Sequence, residues 1–387
     1  MKIMMGEIFK DFVETRKVTK TIKAKIVYLT KIKEELLSQE YENLQKFLQG
    51  EKDVKLHSHI KYTTEWRLRK IKSNKEYPMI IHKQSVKVVK SDTKIAQYWV
   101  RIPVAGRYGG IWVAIKPHED ILPEYEIGET QVFRKNGEWY IHITVSKEVE
   151  LKNDYAHILA VDVGERVMAC VCGTWNSLKP IFYGKEIRSI RRHYAWLRRR
   201  LQKKKLLKKV KEIGNKESRK VNDLLHKISR AIVNLAKEHN AIIVMGNLKG
   251  FRRNAKNKGR LVNRIIHSWA YYKFQKMVEY KAVWEGIKIV YIDEKGTSKT
   301  CHRCGNEGKR KTQGCFECPH CGLKDYNADY NGVKNILKRF SAYMVENGAV
   351  AGQPLTVPSS TEVTMLVATR ASHFLKIFAD AVNKDES

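Results

Sequence analysis

Acidic residues are scarce against basic ones, and the sequence holds no long apolar run. Lys plus Arg number 74 and Asp plus Glu 41, a net charge of +33 over 387 residues. Such an excess repels itself in a folded state unless a polyanion neutralises it, so nucleic acid is the first partner to consider and a membrane surface the second. No stretch approaches the ~20 apolar residues of a transmembrane helix, and no signal peptide is visible. Cysteine is sparse outside one segment: of seven, five lie between 301 and 321, and only Cys170 and Cys172 lie elsewhere. That usage suits a reducing cytoplasm and metal binding rather than a secreted disulfide framework. A hydrophobic content of 43% is ordinary, and the length leaves room for two or three domains.

What is present is concentrated in residues 297–339. Cys301-His302-Arg303-Cys304 is followed, after thirteen residues, by Cys318-Pro319-His320-Cys321-Gly322. Two CxxC knuckles at this separation can set four thiolates around one Zn²⁺, about 2.3 Å from each sulfur. Gly305 and Gly322 follow the knuckles where such turns relax. Four scattered structural cysteines, or a disulfide pair, are the bland alternatives. Cys315 is a fifth thiol that would break the CxxC geometry as a ligand, and is taken as a spare. Asn327-Ala328-Asp329-Tyr330-Asn331-Gly332 comes next and opens a helical segment at 334–339.

Upstream, residues 19–28 alternate as a strand, and 29–48 and 63–70 suit helices. Residues 84–90, 97–104, 110–116, 130–134 and 138–146 read as short strands, with Asn136-Gly137 as a turn between the last two. The pattern argues for an α+β N-terminal domain with a small barrel or sandwich. The charged stretch 147–154 marks a boundary, followed by strands at 157–163, 166–172 and 178–183. Asp162 inside the apolar first strand is unusual, because a buried carboxylate is costly unless paired or metal-bound. An Asp that caps the Val163-Gly164 turn remains the alternative.

An apolar stripe over Ile187, Ile190, Tyr194, Leu197 and Leu201 predicts a helix, and residues 188–211 hold twelve Lys or Arg and no acid. Without compensation such a run favours a surface for a nucleic-acid backbone over a merely solvated face. Arg188, Arg191, Arg192, Arg198, Arg199, Arg200, Lys203 and Lys204 are its candidate contacts. A second stripe from Val221 to Leu235 completes a helical hairpin, with Gly214-Asn215 in the link. Residues 241–245 form the next strand, and 249–264 carry seven basic residues and no acid. Arg252, Arg253, Lys256 and Arg260 are candidates there, on a loop that would order on nucleic acid. Residues 271–284 predict a helix and 287–292 a strand.

The entry Thr297-Ser298-Lys299-Thr300-Cys301, the four cysteines and the Asn327–Gly332 segment together resemble the C-terminal half of TnpB, the insertion-sequence-encoded family related to type V CRISPR effector nucleases. The close resemblance covers about 158–339. It implies a wedge-like β-barrel domain at 1–150 with a helical insertion at about 29–70. An α/β ribonuclease H-like (RuvC-like) domain would follow at 155–340, with a zinc ribbon inserted at 297–323 and a tail of unassigned role at 341–387. It also implies structural Zn²⁺ on Cys301, Cys304, Cys318 and Cys321, catalytic Mg²⁺ on a carboxylate cluster, guide RNA and target DNA as partners, no membrane, and a prokaryotic, nucleoid-associated location. Asp162 and Asp329 match the first and third carboxylates of the family site. The family Glu falls at position 246, where this sequence has Gly246. Losing one of three carboxylates should cost orders of magnitude in rate. The resemblance therefore implies a transposon-associated, RNA-guided DNA-binding protein whose nuclease is lost or strongly impaired. The alternatives are an active Mg²⁺-dependent endonuclease, and a degenerate transposon protein acting only as a DNA binder.

Overall fold

The computed structural model describes residues 15–51, 53–67, 76–91, 93–152, 155–177, 179–248, 270–294 and 296–346. These fall into two units, Arg16–Glu148 and the chain from Val149 onward.

In the first unit, alternation over Ile22-Lys23-Ala24-Lys25-Ile26 sets the faces of β1 (Thr15–Tyr28), burying Ile22, Ala24 and Ile26 and exposing Lys23 and Lys25. Two helices follow, α1 (Lys31–Leu48) and α2 (Ser58–Arg67), where the sequence predicted helices at 29–48 and 63–70. The second begins five residues earlier than predicted, and 68–70 lie outside the described residues. Glu40 of α1 is buried, and its carboxylate accepts the His57 amide at 2.7 Å and the Ala105 amide at 2.8 Å. The strands are β2 (Met79–Ile81), β3 (Lys87–Lys90), β4 (Tyr98–Ile102), β5 (Ile111–Pro117), β6 (Glu126–Lys135) and β7 (Glu138–Glu150). They join β1 in one seven-stranded sheet, ordered β2-β6-β7-β1-β5-β4-β3, rather than the two facing sheets of a sandwich. Asn136 and Gly137 both take positive φ, the two-residue turn that matches strand twist in the β6–β7 hairpin.

The second unit is organised by a five-stranded sheet. Its members are β8 (His157–Asp162), β9 (Ala169–Gly173), β10 (Ile181–Tyr183), β11 (Ala241–Asn247) and β12 (Ile289–Asp293), in the order β10-β9-β8-β11-β12. The first three run antiparallel, and β8, β11 and β12 run parallel. Ile158–Val161 and Ala241–Met245 are apolar throughout because both faces of these strands are covered. Between β10 and β11 run α3 (Lys185–Lys203) and α4 (Leu207–Glu238), and α5 (Tyr271–Trp284) precedes β12. Val221, Leu225, Ile228 and Ile232 of α4 and Phe274, Val278 and Ala282 of α5 are core residues.

The helical hairpin turns earlier than Gly214-Asn215 suggested. The turn is Lys204–Leu206, with Lys205 at φ 56, and Gly214 lies inside α4. A solvated helical glycine costs only ~1 kcal/mol, which the continuous apolar stripe of α4 outweighs. Then come β13 (Lys309–Thr312), β14 (Cys315–Glu317) and β15 (Tyr326–Asn327), a small antiparallel sheet, and α6 (Ala328–Glu346). Val333, Ile336, Leu337 and Phe340 sink α6 into the core against β8, β9, β11 and β12. The helix thus continues past residue 340, where the sequence reading ended the domain.

Candidate active site

Parallel strands of an α/β sheet present their ligand sites at their carboxyl ends. Asp162 ends β8, Gly246 is the penultimate residue of β11, and Glu294 directly follows β12. The register sets these ends side by side: Met245 pairs with Val161, and Gly246 with Ile292. α6 supplies Asp329 in its first turn.

Four residues of the Asn327–Gly332 segment have separate tasks. Asn327 caps α6, its Oδ1 accepting the Asp329 and Tyr330 amides, both at 3.0 Å. Asp329 is 7% exposed, and its Oδ1 lies 3.9 Å from Nη2 of Arg310 on β13. Asn331 is fully buried and holds the preceding loop, accepting the His302 amide at 2.9 Å and donating to the Thr300 carbonyl at 2.8 Å. Asn335 adds bonds to the Thr297 and Thr300 carbonyls at 2.8 and 2.7 Å, and Lys338 donates to the His302 carbonyl. Gly332 lets α6 approach Asp162, since a Cβ there would stand 2.6 Å from Asp162 Oδ2. The first three turns of α6 therefore fix both aspartates and the cysteine-bearing loop.

Burial and then the Asp329 carboxylate push Asp162 up to about 7, against the opposing pull of Arg310. Burial also raises Asp329, opposed by Arg310 and Arg166. Two crowded, desolvated carboxylates of this kind hold protons unless a cation joins them.

Gly246 carries no side chain, yet the space above it is filled. A Cβ there would fall inside the Glu294 side chain, overlapping Cγ, Cδ and Oε1. Glu294 thus lies across the end of β11 from the neighbouring strand. Burial, then Asp162 and Asp293, push it up to about 8, with Arg339 opposing. Its Oε1 is buried without a hydrogen-bond partner. Sequence reasoning passed over this residue. The available signal was an acid just beyond a strand that pairs in parallel with the glycine strand. Among the described residues, three or more ligand atoms lie within 4.8 Å of one another only at the four thiols and at Cys315, Glu317 and Asp325.

The Sγ atoms of Cys301, Cys304, Cys318 and Cys321 lie within 4.8 Å of one another, with Cys301–Cys321 at 3.7 Å and Cys304–Cys318 at 3.4 Å. These separations are too long for disulfides and near what thiolates around one tetrahedral ion adopt. The Gly305 amide donates to the Cys301 carbonyl at 3.0 Å, and Gly305 and Gly322 take positive φ, closing both knuckles. The Asn306 amide lowers the Cys304 thiol, whereas burial raises Cys301 and Cys321. Cys315 stands outside this set, its Sγ 3.6 Å from Asp325 Oδ1.

The basic face of α3 divides in two. Arg188 is tied to Glu165 at 3.4 Å and to Gln313 at 2.7 Å, and Arg198 pairs with Glu217. Arg191 is half-buried, and burial lowers its pKa. Arg192, Arg199, Arg200, Lys203 and Lys204 are exposed, and Arg200 stacks over the half-exposed Trp196 at 4.8 Å. The acids missing from 188–211 arrive from other elements, so three of the eight candidates serve the fold. Arg252, Arg253, Lys256 and Arg260 lie outside the described residues.

Residues 271–336 match the family described as Cas12f1-like, TNB domain. A TnpB-like protein of Methanocaldococcus jannaschii is 29% identical over 224 residues, 56% of this chain and 78% of that protein. The CRISPR-associated endodeoxyribonuclease Cas12f1 of Sulfoacidibacillus thermotolerans is 30% identical over 234 residues, 55% of this chain and 53% of that protein. A cryo-EM structure of a Cas12f1–sgRNA–target DNA complex superposes with a TM-score of 0.53 at 14% identity, covering 83% of this chain and 98% of that one. At that identity the likeness concerns the fold. No helix among the described residues is long and apolar enough to cross a membrane.

Proposed function

Because the chain belongs to the TnpB family, we propose that it is an RNA-guided DNA-binding protein whose second unit is a RuvC-like DNA endonuclease domain. One observation carries the reading: Asp162 and Asp329, far apart in sequence, meet in a buried acidic site at the carboxyl edge of the parallel strands. The strand order, three antiparallel strands followed by two parallel ones, supports the ribonuclease H-like assignment. Guide RNA and target DNA would lie along basic surfaces such as Arg192, Arg199, Arg200, Lys203 and Lys204 of α3.

The acidic site fits magnesium, a hard cation that prefers oxygen ligands. Asp162 and Asp329 would hold it, and it would supply charge stabilisation and an activated water for phosphodiester hydrolysis. Arg310 brings a guanidinium to the same edge, where it can hold a phosphate oxygen. The four thiols would hold structural Zn²⁺ and so fix the strand that carries Arg310.

Gly246 favours a second reading, a binder that no longer cuts. The unpartnered Glu294 Oε1 beside it favours the endonuclease. The test is to purify the chain with its RNA, sequence that RNA, and measure Mg²⁺-dependent cleavage of matched DNA. Guided cleavage that Asp162→Ala abolishes, with RNA retention unchanged, is expected. A chain that retains no defined RNA, or cleavage indifferent to Asp162→Ala, would overturn the proposal.

A further inference from the structure

We propose that Glu294 is a metal ligand of the carboxylate site, delivered from the end of β12 into the space that a side chain on Gly246 would otherwise occupy. The proposal rests on the endonuclease reading and adds the ligand that reading lacks.

The glycine is the first argument. Gly246 lies in a strand, and its φ is outside the left-handed region that favours glycine. Any residue could adopt this backbone, and glycine weakens a strand interior by its entropy and its missing side chain. Its Cα must therefore be bare for another reason, and the Glu294 side chain supplies one by occupying the place of the absent Cβ. The Gly246 carbonyl accepts Gln275 Nε2 at 2.7 Å, a bond that fixes the strand end beneath that carboxylate.

The second argument is the surroundings of Glu294. A carboxylate held for structure is met by donors, as Glu40 is met by the His57 and Ala105 amides. Glu294 Oε1 is buried and has none, and Asp162 is among its charged neighbours. Arg339, the cation that acts on it, also donates Nη1 to the Asp293 carbonyl at 2.7 Å. A largely desolvated acid beside a second acid is stabilised by a proton, by a cationic side chain or by a metal cation, and Glu294 Oε1 has no hydrogen-bond partner among the described residues.

The experiment uses the full chain with its co-purified RNA and zinc retained. Mn²⁺ titration followed by electron paramagnetic resonance reads the site without turnover, and guided cleavage of matched DNA is measured beside it. Glu294→Gln keeps the shape and removes the charge, so Mn²⁺ affinity should fall at least ~10-fold and cleavage ~10²-fold or more. Gly246→Glu combined with Glu294→Ala returns a carboxylate to the same space from the other strand, and should recover most of both losses. Unchanged Mn²⁺ affinity in Glu294→Gln, while Asp162→Asn loses it, would overturn the proposal and leave the endonuclease reading standing. The opposite failure is distinguishable: Mn²⁺ binding that depends on Glu294, in a chain that cuts no matched DNA, would support the ligand and refute the nuclease. A Glu294→Gln melting temperature no lower than the parent's with Mn²⁺ absent confirms that lost affinity is not lost folding.

Discussion

Replacing Gly332 by alanine separates stability from chemistry. In a helix interior this change normally gains about 1 kcal/mol from propensity. Here the new Cβ would stand 2.6 Å from Asp162 Oδ2 and 3.2 Å from its Cγ. The methyl needs several tenths of an ångström more, and Asp162 sits at the end of a strand paired on both sides. Relief must come from rotating the carboxylate or tilting α6. Overpacking of this kind costs roughly 1–3 kcal/mol, so the net loss lies between about zero and 2 kcal/mol. At ~2–4 °C per kcal/mol, the melting temperature should fall by no more than ~8 °C. The effect on cleavage should be far larger, because a displacement near 1 Å at a reacting centre can cost about 10²-fold. The assay is single-turnover cleavage of matched DNA, with RNA retention and thermal melting on the same preparation. Retained RNA, a small melting shift and a cleavage loss of about 10²-fold are expected. A parental cleavage rate in a folded Gly332→Ala variant would refute the placement of Asp162 in the reacting site.

Elemental analysis should find one zinc per chain, lost in Cys301→Ser and kept in Cys315→Ser, because Cys315 stands apart from the four clustered thiols. Changing Arg192, Arg199 and Arg200 together to glutamine should weaken nucleic-acid binding and flatten its log–log salt dependence by roughly one unit per lost phosphate contact. Arg198→Ala should instead lower the melting temperature with little change in salt slope, because Arg198 is committed to Glu217. With zinc present and magnesium absent, stability should fall from pH 5 to pH 8.5. Asp162 and Glu294 hold their protons up to about 7 and 8 in the fold but only to ~4 unfolded, so this contribution is full at low pH and lost as pH rises through the folded values. A pH dependence identical in Glu294→Gln would count against it.

What could be read from the chain alone was whatever is coded locally. The four thiols are visible because each knuckle is set by three residues of spacing, and the structure gathers those four and leaves Cys315 aside. Asp162 is conspicuous because an acid inside an apolar strand has few excuses. Asn327 and Asp329 share one helix start, where the cap and the acid are two residues apart. The hairpin turn was misplaced because glycine is the usual punctuation, yet the apolar stripe of α4 carries the helix through Gly214 and the chain reverses at Lys205 instead. The basic run misled in a related way, since the acids that neutralise Arg188 and Arg198 belong to other elements. Glu294 is the extreme of this kind. In sequence, Ile292-Asp293-Glu294 is an ordinary charged exit from a strand, and the gap at Gly246 lies nearly fifty residues earlier. Only the parallel register of β11 and β12 brings the two together. A missing side chain on one strand and an unpaired one on the next are separate oddities along the chain. In the fold they occupy one space, which is why a motif that looks broken in one dimension can be whole in three.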